Sequence, residues 1–260
     1  MSSPLFARTV TCASLDDARR REMLALMRVC YDGVMPERFA SDLDDKQFVI
    51  LLFAKAGRAL VGFSTLKVRE ERLGGRTVEL VFSGDTVIHP DYWGAKSLQA
   101  AFGHFLLARK LRRPWRPCLW LLLSGGYKTY LMMTNNFPRS FPSRRGEPSP
   151  VRRAFLERIA REWFGSQYDA ARGVVRFASP HYRVRDGIAP LDAVTAARPD
   201  VAFYLARNLG HAEGDELACL AEIRLRDLVT ALTRIVLIQA RLARHRAAAS
   251  PQASRAGALR

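Results

Sequence analysis

Between residues 5 and 90 the apolar positions recur with a period of about two, the spacing of half-buried strands. "LFARTVTCA" (5–13) alternates and reads as a first strand. "KQFVILLFAKAGRALVGFSTLKVRE" reads as two strands folded back at Ala56-Gly57. Gly74-Gly75 then turns the chain into a third antiparallel strand, "RTVELVFSGDTVIHP" (76–90). Gly84-Asp85 interrupts it, and a residue with no side chain to pack there marks a bulge or bend. After the first strand the period becomes helical. Leu15, Met23, Leu24 and Met27 form one stripe, Ser14 is placed as the cap, and Asp16 and Asp17 occupy the first turn of a helix ending near Arg28. Gly33 and Pro36 break "CYDGVMPERF" (30–39), and the segment 30–45 has no readable pattern.

The second half starts with a helix from Ser97 to about Arg113, its inward positions being Leu98, Phe102, Phe105, Leu106 and Leu111. Pro114 and Pro117 stop it. "CLWLLL" (118–123) has the continuous hydrophobicity of a buried central strand. Strand, helix and strand in that order predict a parallel crossover. A short helix is expected within 124–142, ending near Asn135-Asn136. A proline-rich connector covers 142–150, and a helix follows with Ser149 as cap and Pro150 at its first position. Residues 173–179 and 215–223 are candidate strands, 224–246 is a long amphipathic helix, and the tail 247–260 is expected to be disordered. The expected fold class is α/β with a mixed sheet. Its core spans 1–141, and a C-terminal region, 151–246, either completes the sheet or flanks the site.

Composition narrows the partners. Of 260 residues, 48% are hydrophobic and 25% charged, as in an ordinary globular protein. The longest apolar runs are too short to span a bilayer. The N-terminus lacks a signal-like apolar segment, and the four cysteines are scattered, so a cytoplasmic location with reduced thiols is expected. No Cys or His pair has metal-ligand spacing, so no metal is expected. The net charge of +16 is uneven: Lys96 to Arg158 holds 13 Lys and Arg against two acids. Such a field favours nucleic acid, acidic lipid, a phosphorylated cofactor or an acidic carrier protein; the plainer reading is a solvated Arg-rich surface. There is no G-x-S-x-G and no P-loop.

The order helix, three antiparallel strands, loop, helix, buried strand, short helix over residues 5–141 resembles the GNAT acyltransferase superfamily. The residues that carry the resemblance are Val87, Pro90, Tyr92 and Gly94 in "VIHPDYWG", Leu98 on the helix that follows, and Tyr130 with "NNF" at 135–137. The family loop commonly reads V-x-P-x-[YF]-[RQ]-G-x-G; here Trp93 stands for Arg or Gln, and Lys96 for the second Gly. The resemblance implies a GNAT-like fold and transfer of an acyl group from acyl-coenzyme A, or from an acyl-carrier protein, by direct attack of an amine. It also implies that amides from Trp93, Gly94, Ala95, Lys96, Ser97 and Leu98 hold the pyrophosphate. A bare helix start does this on physical grounds alone, since its N–H groups are unpaired and its dipole is positive. Backbone N–H groups at Val87 and Ile88 are then candidates for the thioester carbonyl.

The attacking amine must lose a proton. Glu79, Asp85 and His89 lie on or just after the right strand, and Asp85, nearest the carbonyl site, is the preferred base; an Asx turn beside Gly84 is its structural alternative. Glu79 and Asp85 share a face only if no bulge intervenes. Tyr127 and Tyr130 are candidates to protonate the leaving thiolate, or are packed aromatics. Phe82, "CLWLLL" and Met132-Met133 line a channel for a long acyl chain or are ordinary core. Two other classes stand beside the enzyme: a basic nucleic-acid-binding protein, and a peripheral membrane protein acting on lipid through the basic helix 224–246. The acceptor is not encoded in any pattern that can be read.

Overall fold

The computed structural model describes residues 5–177, 183–184 and 191–249. Its principal elements are β1 (Leu5–Thr11), α1 (Asp17–Cys30), α2 (Pro36–Asp44), β2 (Phe48–Ala54), β3 (Leu60–Leu73), β4 (Arg76–Ile88) and α3 (Ser97–Arg112). These are followed by β5 (Cys118–Ser124), α4 (Tyr127–Asn136), α5 (Pro150–Phe164), α6 (Pro199–Arg207), β6 (Glu216–Ile223) and α7 (Leu225–Ala249). The strands lie in the order β1-β2-β3-β4-β5-β6. All neighbours are antiparallel except β4 and β5, which α3 joins as a parallel pair. The fold is therefore α/β with a mixed sheet. β6 extends it beyond β5, and two-residue strands at Ser140–Phe141 and Val174–Val175 pair with β6.

Local chemistry accounts for most of the element ends. Gly74 and Gly75 both have positive φ, 54° and 79°, as a tight hairpin turn between β3 and β4 requires. α1 starts later than expected. Asp16 is its cap, its carboxylate accepting from the Arg19 amide at 2.7 Å, while the Ser14 hydroxyl turns back to the Thr11 carbonyl. α2 was not anticipated. Pro36 occupies its first turn, and it buries only Phe39 and Leu43, too short a stripe to read as a period. α6 was likewise unpredicted. Pro150 opens α5 as expected, but the Ser149 side chain makes no capping hydrogen bond. Leu111, expected inside, is 57% exposed at the end of α3. Of the tail, residues 247–249 continue α7, and 250–260 lie outside the described residues.

The sheet has two covered faces. On the back, α3, α4, α6 and α7 pack over Ile50, Leu66, Val81, Trp120, Leu122 and Cys219. On the front, α1 and α2 cover Val49, Leu51, Phe63 and Val87, and α5 covers Leu80, Leu119, Leu121 and Leu220. "CLWLLL" is core as far as Leu122, with Leu123 half-buried. Met133 is fully buried as well. The front face thus has two apolar clusters, and the polar groups of interest lie between them.

Candidate active site

The parallel ladder of β4 and β5 stops at Ser83 and Leu122. Beyond that point β4 continues through Ile88, paired only with β3, and β5 continues through Ser124. Past that pair β4 and β5 are no longer bonded to one another, and the gap between their C-terminal ends is the candidate opening. Just below it the buried Trp120 indole donates to the Ser83 hydroxyl at 2.9 Å, closing the floor.

A bulge decides what faces the opening. Ser64 pairs with Thr86 and Leu66 with Ser83, so Thr65 alone opposes both Gly84 and Asp85. Glycine at 84 keeps this close approach open: a Cβ there would lie 2.6 Å from the Thr65 hydroxyl and 3.0 Å from Lys46 Cε, so a larger residue must displace those side chains. The extra residue reverses the alternation of side chains. Asp85 therefore points to the front face and Glu79 to the back. Glu79 is buried there and accepts from two nitrogens of Arg109, with Nε at 3.0 Å. The structure does not bring Glu79 to the opening.

The backbone amides follow the ladder. The His89 amide donates to the Val61 carbonyl at 2.8 Å. In an antiparallel pair the donors alternate sides, so the Val87 amide is also turned toward β3. The Ile88 amide faces the opening. Its carbonyl receives the Trp93 indole N–H at 2.7 Å and the Cys30 thiol at 3.6 Å. Trp93 thus pins the loop to the strand end. The Lys128 ammonium, from the first turn of α4, sits 5.3 Å from its ring centroid.

The loop between β4 and α3 satisfies some of its own donors. Tyr92, Trp93 and Ala95 amides bond to the carbonyls of His89, Pro90 and Tyr92. Trp93 and Ala95 are therefore excluded as amide donors to a ligand. Gly94 makes the turn at φ +84°. Lys96 occupies the cap position of α3 and its own side chain makes no capping hydrogen bond; the first turn of the helix, with Ser97 and Leu98, follows the end of β4. α4 likewise starts at the end of β5 with Gly126 as an uncapped N-cap. Two helix N-termini thus flank the opening, each with the positive end of its dipole toward it.

On the front face a polar cluster joins Tyr31, Arg38 and Asp42 from the α1–α2 region to Lys46, Asp85 and Glu216. Glu216, the first residue of β6, lies against Gly125, where an added Cβ would come within 3.3 Å of its Oε1. Burial first, and then the Asp42 charge, pushes the Asp85 carboxyl up to about 6. Burial, and then Asp85, pushes Glu216 up to about 8. Asp85 ionises first, and its charge holds the proton on Glu216. At neutral pH one carboxylate and one carboxylic acid stand on the same face near the end of β5. Burial, with Asp85 and Glu216 next, also raises the Tyr31 phenol. Sequence reasoning missed Glu216, Tyr31, Arg38 and Lys46.

The remaining candidates separate. Tyr127, half-buried, is the first residue of α4 beside the opening. Tyr130 is 1% exposed and packs 5.4 Å from Tyr204 on the back face, and burial raises its phenol. His89 Nδ1 stands 3.5 Å from the Asp91 carboxylate in the loop. No group of side chains suited to a metal occurs among the described residues.

The charge of residues 96–158 is spread through ion pairs. Arg113 and Arg116 bond to Glu70 at the far end of α3, and Arg158 bonds to Glu71 and Glu162. The Lys128 ammonium sits against Trp93 at this end of the sheet, and Lys96 precedes α3 in the same loop.

No protein-family model matches the chain, and neither does any curated protein. Solved structures similar to it include a GCN5-related N-acetyltransferase from Kribbella flavida, at 15% identity and TM-score 0.34, covering 49% of this chain and 32% of that one. An acetyltransferase from Trypanosoma brucei aligns at 18% identity and TM-score 0.36, covering 50% of this chain and 89% of its own. The ribosomal-protein-S18-alanine N-acetyltransferase from Escherichia coli aligns at 11% identity and TM-score 0.37, covering 50% and 76%. The likeness is loose in all three and takes in about half of this chain; the chain spans about a third of the Kribbella protein.

Proposed function

We propose that the protein is an N-acyltransferase that moves an acyl group from acyl-coenzyme A to an amine. The observation that carries this is the end of β4–β5 pairing at Ser83 and Leu122, with the outward-facing Ile88 amide and the N-terminus of α3 at the rim of the gap. A pantetheine arm is narrow and carries amides along its length, and fits between two separating strands whose facing backbone groups are not bonded to each other. The diphosphate at its end seeks the first turn of α3 and Lys96, where dipole and ammonium act together. The thioester carbonyl then lies against the Ile88 N–H, which stabilises the oxyanion as the carbon becomes tetrahedral.

The acceptor approaches from the front face. Its nitrogen attacks the thioester carbon as Asp85 takes the proton; the C–N bond forms, the C–S bond breaks, and the thiolate takes a proton from the Tyr127 hydroxyl or from water. A carboxylate held near pH 6 is matched to this task, since it is ionised at neutral pH and still basic enough to accept a proton. Coenzyme A is favoured over an acyl-carrier protein as donor. A carrier needs a broad basic landing surface, and the arginines 112, 113 and 116 lie at the end of α3 remote from Gly94. The test is a panel of acyl-coenzyme A donors and amines assayed by thiol release and by mass of the amide. Amide formation that survives Asp85→Asn unchanged would remove this assignment of the base.

A further inference from the structure

α7 carries two apolar stripes, and the fold uses only one of them. The first packs on the back face. Leu228 is fully buried there, and Leu232 stands so close to α3 that a Cβ added at Gly103 would lie 2.9 Å from its Cδ2. The second stripe faces solvent. At 3.6 residues per turn Leu225, Val229 and Val236 fall within about 40° of one another around the helix. Leu237 and Ile238 continue the apolar surface further round. All five side chains are between 41% and 62% exposed. Single exposed apolar residues are ordinary, whereas a row of them along one helix marks a contact surface.

The second observation is the charge beside that row. Arg226, Arg234, Arg241 and Arg244 are exposed, and they fall within about 80° of one another, next to the stripe. The one acid in the sequence of α7 is Asp227, which is 8% exposed and 3.6 Å from Arg226. Arg234 uses one nitrogen on the Asn135 carbonyl at 3.2 Å. The exposed half of the helix is therefore apolar and cationic, with no exposed carboxylate of its own.

This combination selects the occupant. A second copy of the chain, docking through the same patch, would bring arginine against arginine with no acid on the helix to separate them. A nucleic acid would satisfy the arginines, but the Leu and Val row offers no aromatic ring on which a base could stack. An anionic lipid surface meets both requirements, because acyl chains take the apolar row and phosphates take the guanidinium forks. We propose that α7 lays the protein on an anionic lipid surface, with Leu225, Val229 and Val236 entering the headgroup boundary and the four arginines meeting lipid phosphates. No helix among the described residues is long and apolar enough to cross a membrane, so the contact lies in the plane of the surface. Nothing in it depends on acyl transfer.

Flotation of the full chain with vesicles of phosphatidylcholine, and with vesicles of phosphatidylcholine and phosphatidylglycerol in equal parts, tests this. Binding is expected to the mixed vesicles, to weaken as salt rises, and to be at least about tenfold weaker on phosphatidylcholine alone. Arg241→Gln with Arg244→Gln should weaken it by roughly 10–30-fold, on the order of fivefold for each charge removed. Val236→Ser with Leu237→Ser keeps every charge and should weaken it by about tenfold. Both pairs are exposed, so the melting temperature should stay within a few degrees of wild type. Arg21→Gln with Arg28→Gln removes the same charge from the exposed side of α1, across the sheet, and should leave binding unchanged. Absence of binding to the mixed vesicles, an equal loss in the α1 pair, or unchanged binding in the serine pair overturns the proposal. So does a dimer in sedimentation velocity that the serine pair splits, since a second copy would then cover the stripe.

Discussion

Replacing Asp85 with Asn is expected to remove most activity while making the fold more stable, a combination that unfolding cannot imitate. The carboxyl is displaced from an ordinary 3.8 to about 6 by burial and by Asp42. Two units of displacement correspond to a ceiling of about 3 kcal/mol. Asp85 is half-buried and solvent still reaches it, so about half of that, roughly 1.5 kcal/mol, is the working figure. The sign follows from proton counts. The folded chain keeps a proton that the unfolded chain gives up between pH 3.8 and 6, so the penalty grows through that interval and is constant above it. Asn carries no such penalty. The variant should melt roughly 3–6 °C higher at pH 7, and the gain should vanish toward pH 4. Loss of the base should lower turnover by about 10²–10⁴-fold, while wild-type kcat/KM should fall below pH 6 as Asp85 takes up its proton. Differential scanning calorimetry across pH, with thiol release from acyl-coenzyme A, reads both effects. A variant less stable at pH 7, or one within about threefold of wild-type activity, refutes the reasoning.

Three further outcomes are expected. Glu216→Gln should stabilise the fold more at pH 8 than at pH 5, because the penalty on Glu216 builds from pH 4.5 to about 8; denaturant titrations at the two pH values check this. Gly94→Val should weaken coenzyme A binding about fivefold to thirtyfold. No atom lies within 4 Å of an added Cβ, so the effect arises from backbone strain at φ +84°, worth about 1–2 kcal/mol, and titration calorimetry measures it. Neutralising Arg112, Arg113 and Arg116 together should leave the rate of donor association unchanged in stopped-flow mixing, since two of them are engaged with exposed Glu70 far from Gly94.

The β-meander and the parallel crossover were legible because their signals are local. Gly57, Gly74 and Gly75 mark turns that need positive φ, and "CLWLLL" has the unbroken apolar run of a strand covered on both faces. The bulge at Gly84 was legible as a possibility, and it separates Asp85 from Glu79. Its consequence for the two carboxylates depends on which residue of β3 is doubly opposed, and no single strand reveals that. Glu216 could not be found from sequence. It comes to the opening only because β6, more than 90 residues beyond β5, adds beside it in antiparallel register with Leu217 opposite Ser124. The basic stretch misled for a related reason. Charge dense along residues 96–158 suggests one positive field, whereas Arg109, Arg113, Arg116, Arg152 and Arg158 each meet a glutamate brought in by another element.

The central claim is that an acyl-coenzyme A occupies the opening between β4 and β5, and hydrogen–deuterium exchange with and without acetyl-coenzyme A tests it without knowledge of the acceptor. Amides that gain a hydrogen-bonded ligand exchange more slowly. The account predicts slowed exchange in peptides covering 86–98, which hold the Ile88 amide and the first turn of α3, and in those covering 123–130, with no change over 138–152. Binding without protection at 86–98, or protection confined to 138–152, contradicts it.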